Sequence, residues 1–203
     1  MIPKPLGDSE FYGLRPVGIT ETTNGISLGS SGYIELTPKS GTEVYDKNMK
    51  WEIILDLRRN GTVADGDYNI FHAWDTDGAD VNIWVHIASN AITKFVYDDG
   101  SANPPTLTFS TPIKNAAGEC NRIVFRNYSI QGQHGLYLYV YDRPASPSGD
   151  DPSESDQREF APGFLPDKQP ELIIGSSGVD GKQSLPSEVT LYGIEIRNVT
   201  LLE

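Results

Sequence analysis

Residues 49–61 read MKWEIILDLRRNG, and their alternation decides the fold. Trp51, Ile53, Leu55 and Leu57 fall on one side of an extended chain, with Glu52, Ile54, Asp56 and Arg58 on the other. Strand side chains point alternately to opposite faces, so the first set belongs to a core and the second mostly to solvent. The pattern recurs at 81–87, where Val81, Ile83, Val85 and Ile87 alternate with Asn82, Trp84 and His86. It recurs again at 136–141, where Leu136, Leu138 and Val140 alternate with Tyr137, Tyr139 and Tyr141. Strands wet on one face imply antiparallel sheets packed in pairs.

Outward from these segments, 20 Gly and 14 Pro bound short runs rich in Ile, Val, Thr, Tyr and Phe. That spacing predicts strands near 26–28, 32–37, 50–58, 68–74, 81–87, 92–97, 106–109, 121–128, 135–141, 171–175 and 188–201. No stretch holds a helical period over eleven residues, and only 112–120 could hold a short helical turn. The expected fold is all-β: one antiparallel β-sandwich of jelly-roll topology. Residues 1–25 are weakly patterned and read as an extended N-terminal arm, with the sandwich domain over 26–203. Residues 143–170 form an acidic insertion with six Pro, whose composition predicts mobility at 145–158.

Charge narrows the partners. With 16 Lys and Arg against 28 Asp and Glu, the chain of 203 residues carries a net charge of −12. Nucleic acid and anionic membranes need clustered cations, so neither is expected as a main partner. The single Cys, Cys120, excludes an internal disulfide and a Cys-based zinc site. No apolar run reaches membrane-spanning length, and no secretion signal is visible at the N-terminus, which suggests cytoplasmic synthesis.

Several strands resemble the laminin-G-like, concanavalin A-like lectin/glucanase superfamily. GISLGSSGYIELTPKS (25–40) is similar to its first strand pair, and MKWEIILDLRRNG to the long Trp-containing strand that follows. GLYLYVYDRP (135–144), PELIIGSSG (170–178) and VTLYGIEIRNVTLLE (189–203) resemble later strands. The sequence departs from the family at Tyr141-Asp142-Arg143-Pro144, where an Asp-Gly turn is usual. The resemblance implies a concanavalin A-like sandwich and raises three functions: glycan binding, assembly and glycan cleavage.

Cleavage fits least. Retaining hydrolysis needs two carboxyl groups about 5–5.5 Å apart, which the family's glucanases place as Glu-x-Asp-x-(x-)Glu on one strand. That string is absent; the nearest candidates are Glu52 with Asp56 and Glu188 with Glu195. His72, His86 and His134 show no metal spacing, and Cys120 has no neighbouring His to activate it. A non-catalytic protein is therefore expected, with a divergent hydrolase or lyase as the trailing alternative. A calcium ion is the one cofactor considered, at Asp75, Asp77 and Asp80 around Gly78. The Asp77-Gly78 pair is equally a hairpin-turn signal, and the turn is the favoured reading.

Glycan binding calls for aromatic rings on a polar sheet face. Asn82, Trp84 and His86 offer one such row, and Tyr137, Tyr139 and Tyr141 another. Both rows are expected on a shared concave face. The same rings suit a subunit interface equally well, since Tyr and Trp pair an apolar body with a polar tip. The expected protein is thus a recognition or assembly component. It fits a phage virion (capsid decoration, fibre or baseplate), binding protein subunits, a host glycan, or its own copies as a homo-oligomer. The alternative is a stand-alone lectin module of a bacterial surface protein.

Overall fold

The structure, a computed structural model, describes residues 12–22, 25–39, 51–74, 80–98, 102, 104, 106–116, 119–130, 133–143, 154–160, 171–176 and 183–198. At 12, 38, 51–53, 73–74, 80–81, 97, 107, 109, 125–130, 133–143, 154–160, 171–172 and 194–198 it describes the main chain alone. The described residues are all-β, in two sheets; none is helical, so none forms a helix able to cross a membrane.

The first sheet, A, follows the order β1 (Tyr12–Val17), β4 (Tyr33–Pro38), β13 (Glu171–Gly175), β6 (Gly66–Trp74), β7 (Asp80–Ala88), β8 (Ala91–Asp98) and β9 (Thr106–Pro112). The short β14 (Gln183–Ser184) pairs with β6 in parallel; all other pairings are antiparallel. The second sheet, B, runs β12 (Glu154–Phe160), β11 (Gln133–Arg143), β10 (Cys120–Ile130), β5 (Trp51–Arg59), β15 (Val189–Asn198), β3 (Gly25–Ser27) and β2 (Thr20–Thr22).

Alternation builds the core between the sheets. Leu55 and Leu57 of β5 and Leu191 of β15 join Ile34 and Leu36 of β4, Phe71 of β6, and Ile83, Val85 and Ile87 of β7. Loop residues Leu28, Val63, Ile113 and Leu185 complete the same cluster. The expected inward faces of β5 and β7 therefore hold wherever side chains are described. Those of Trp51, Ile53, Leu138, Val140, Ile194 and Ile196 lie outside the described residues. The β7–β8 hairpin turns at Ser89 and Asn90, both with positive φ (51° and 63°), the backbone of a two-residue turn that matches strand twist.

Two expectations from sequence need correction. Residues 12–17 and 20–22 are strands within the sheets, not an extended arm. The pattern of β1 is interrupted by Pro16, which an edge strand tolerates because, among the described residues, one side of its ladder has no neighbour. Within the insertion, 154–160 pairs with β11 from Val140↔Glu154 to His134↔Phe160. Its ESDQREF sequence is polar, as suits an edge strand that must not recruit another chain. The rest of 144–170 lies outside the described residues, as do 1–11. Within 112–120, Glu119 N–H donates to Ala116 C=O at 3.1 Å, and 117 and 118 lie outside the described residues.

Candidate functional site

The positions of β6, β7 and β8 that face away from the core cluster form a small grid. Register sets Asp67, His86 and Lys94 in one row, Asn69, Trp84 and Val96 in the next, and His72, Asn82 and Asp98 in the third. Their neighbours on β7, Ile83, Val85 and Ile87, face the core. The grid is graded in exposure. Asn69, His72 and Asn82 are buried, at 0%, 2% and 6% exposure, and Val96 is buried beside them. Trp84, His86 and Asp98 are half-buried, and Asp67 and Lys94 are exposed.

Hydrogen bonds hold these side chains in place. Asn69 Nδ2 donates to Asn82 Oδ1 at 3.3 Å. Trp84 Nε1 donates to Asp98 Oδ2 at 3.4 Å, which orients the indole. His86 Nδ1 lies 2.7 Å from Asp67 Oδ1. When Nδ1 carries the proton it donates to that carboxylate, which leaves Nε2 as an acceptor. Among the described residues, Asn69 Oδ1 is buried without a hydrogen-bond partner. The face therefore carries one oriented indole, the His86–Asp67 pair and a buried Asn69–Asn82 pair.

The expected row Asn82, Trp84 and His86 lies along one face of β7, with Asn82 buried and Trp84 and His86 half-buried. Sequence reading missed Asp67, Asn69, His72 and Asp98 as their neighbours. In β6 the register shifts between Asn69 and Phe71, so His72 joins the face only after the bulge. Strict period two from Asp67 would place Phe71 there instead.

The expected shared face does not form. Tyr137, Tyr139 and Tyr141 belong to β11 of sheet B, opposite Arg126, Val124 and Arg122, whereas Trp84 is in sheet A. The side chains of these tyrosines lie outside the described residues. Of the calcium candidates, Asp75 and Asp77 lie outside the described residues, and Asp80 opens β7 opposite Trp74 with its side chain also outside them. Among the described residues, no group of three His, Cys, Asp or Glu could hold a metal.

Of the acid pairs, Asp56 is taken up by Arg122, whose Nε and Nη2 donate to its two oxygens at 2.6 Å each. Glu188 accepts from Ser187 Oγ at 3.1 Å in the turn before β15. The side chains of Glu52 and Glu195 lie outside the described residues.

No protein-family model matches the chain, and no curated protein matches it in sequence. Its structure is similar to the binding domain of botulinum neurotoxin serotype C1, with a TM-score of 0.57 and 12% identity, covering 91% of this chain and 43% of that one. It is similar to the binding domain of botulinum neurotoxin DC, solved in complex with rat synaptotagmin II, with a TM-score of 0.54, 15% identity, and 91% and 43% coverage. A third neighbour is from type C, a neurotoxin whose cell entry depends upon interaction with two ganglioside molecules (TM-score 0.54, 14% identity, 91% and 42% coverage). The chain thus spans about two-fifths of these structures' length, and at such identities the likeness is one of all-β fold.

Proposed function

We propose that this chain is a non-catalytic, lectin-like module of the laminin-G-like, concanavalin A-like superfamily, and that it binds a glycan on sheet A. One observation carries the reading: a half-buried Trp84, oriented by Asp98, lies on the same sheet face as His86, Asp67 and Lys94 and beside the buried Asn69–Asn82 pair. Pyranose rings present C–H faces that stack on an indole, and their hydroxyls bond to the polar groups alongside. The ganglioside and protein-receptor partners named for the neurotoxins support a recognition role over a catalytic one.

The test is a glycan array followed by titration calorimetry. Trp84→Ala should weaken binding by about 1–3 kcal/mol, as loss of ring stacking on a base does, with the melting curve unchanged. Absence of any glycan ligand, or full affinity in Trp84→Ala, overturns the reading. Calcium at Asp75, Asp77 and Asp80 is tested in the same titration by adding chelator.

A second reading, assembly in a phage virion or a homo-oligomer, draws on sheet B. There Tyr137, Tyr139 and Tyr141 stand in register with Arg126, Val124 and Arg122. Tyr and Arg are the residues interfaces favour. In that case Tyr139→Ala should shrink the assembled species in sedimentation, while Trp84→Ala should not.

A further inference from the structure

The bend that follows β5 carries an Asn-Gly pair held by groups that also suit a carboxylate. Asn60 comes directly after Arg59, the last residue of β5, and is exposed, with Gly61 next. The other Asn-Gly pair, Asn24-Gly25, has Asn24 outside the described residues. An asparagine before glycine is chemically exposed, because no Cβ shields the following amide nitrogen from its side chain. The fold does not demand glycine at 61. A Cβ there would meet only the Glu188 side chain, at 3.5 Å, an ordinary contact.

Three bonds pin Asn60. Its N–H donates to Glu188 C=O at 2.7 Å, its Nδ2 donates to Thr190 Oγ1, and its Oδ1 accepts from Arg58 Nη2 at 3.4 Å. Nδ2 is the nitrogen that deamidation expels, so the bond to the buried Thr190 must break first, and it slows the reaction. The same partners fit the product. Among the described residues Arg58 donates only to neutral acceptors, Asn60 Oδ1 and Ala116 C=O, each at 3.4 Å. Arg122 holds the carboxylate of nearby Asp56. A carboxylate at position 60 would give Arg58 a charged acceptor, which makes a stronger bond. The Thr190 hydroxyl, which accepts from the amide, turns to donate to an acid.

We propose that Asn60 is a self-modification site, independent of the glycan reading. It converts to an acid when the end of the β5–β15 ladder opens, and Arg58 and Thr190 receive the new carboxylate. Gly61 N attacks Asn60 Cγ; the N–Cγ bond forms and the Cγ–Nδ2 bond breaks. The Gly61 amide proton leaves with Nδ2 as ammonia. Water then opens the cyclic imide at either carbonyl, giving aspartate or isoaspartate at position 60. Aspartate keeps the main chain and adds one negative charge. Isoaspartate adds a methylene to the main chain beside the bonds that Arg59 N–H and Asn60 N–H make to Lys114 C=O and Glu188 C=O, and so loosens the end of β5.

The experiment incubates the full chain in mildly alkaline buffer and follows position 60 by peptide mapping and tandem mass spectrometry. Native wild type should convert more slowly than the same chain unfolded in urea. Native Thr190→Val, which removes the hydroxyl, should convert several-fold faster than native wild type. Gly61→Ala should fold as wild type and lose the converted peptide. Asn60→Asp should melt no lower than wild type at neutral pH, and adding Arg58→Gln should cost it more than it costs wild type. Should Thr190→Val fail to fold, the urea comparison and Gly61→Ala decide. Equal rates in native and unfolded wild type, a folded Thr190→Val no faster than wild type, or undiminished conversion in Gly61→Ala each overturns the proposal. So does an Asn60→Asp chain that melts well below wild type or is indifferent to Arg58→Gln.

Discussion

Single residues in this sandwich carry two kinds of load. Leu55 is a filler: fully buried at the centre of the core, it is expected to cost about 2–5 kcal/mol when truncated to Ala. Urea melts measure this, and a loss under about 1 kcal/mol would mean the face of β5 is assigned wrongly. Ser184 is a connector. Its Oγ accepts from the Ser176 N–H and donates to the Gly32 carbonyl, each at 2.6 Å and each buried. Ser184→Ala strands both main-chain groups and should cost about 1–3 kcal/mol. Gly175 packs behind it at φ +96°, where an added Cβ would meet Ser184 Oγ at 2.7 Å. Gly175→Ala should therefore destabilise by about 1–3 kcal/mol or more, from backbone strain alone before the clash is counted.

Among the elements, edges differ from centres. The central strands β5, β6 and β7 supply much of the apolar core, and the patterns of β5 and β7 are legible without any structure. Edge strands β1 and β12 have weak or polar patterns because, among the described residues, one side of each ladder faces no partner. In β12, Asp156 and Arg158 are placed opposite Leu138 and Leu136. Replacing both with Val should leave the melting temperature near wild type but raise aggregation in light scattering, because the edge loses its charges. A wild-type scattering trace would mean that some other feature protects this edge.

At the scale of the whole molecule, alkaline pH is the expected weak point. Burial raises the Tyr68 hydroxyl above the ordinary value of 10.0, with Glu188 and Asp65 adding to it. Its hydroxyl also donates to Ala64 C=O at 2.9 Å. Burial raises Tyr192 too. Each releases its proton at higher pH when folded than when unfolded, so the unfolded chain deprotonates first. Stability is therefore whole below pH 10.0 and falls as pH climbs through the raised folded-state values. Urea melts from pH 8 to 11 should show this fall, and Tyr68→Phe should flatten it. An equal slope in wild type and Tyr68→Phe would exclude Tyr68 as a source.

Sequence alone determined the fold class and the faces of the strong strands. Period-two alternation is a local property, and it put Leu55 and Leu57 inside and Trp84 and His86 outside. It also supplied the row Asn82, Trp84 and His86, because one strand holds all three. Only tertiary structure decided which rows meet. Trp84 and the β11 tyrosines look equivalent along the chain, yet strand order places them in different sheets. His72 reaches the Trp84 face through a bulge, a one-residue shift that alternation cannot foresee. Arg58 reads as an ordinary solvent-face cation beside Arg59. Its guanidinium lies over the Tyr192 ring because β15 pairs beside β5, and Asp56 on the same strand is held by Arg122 of β10, contacts between residues far apart in sequence. Alternation reports which way a residue faces; the pairing of distant strands decides what it faces.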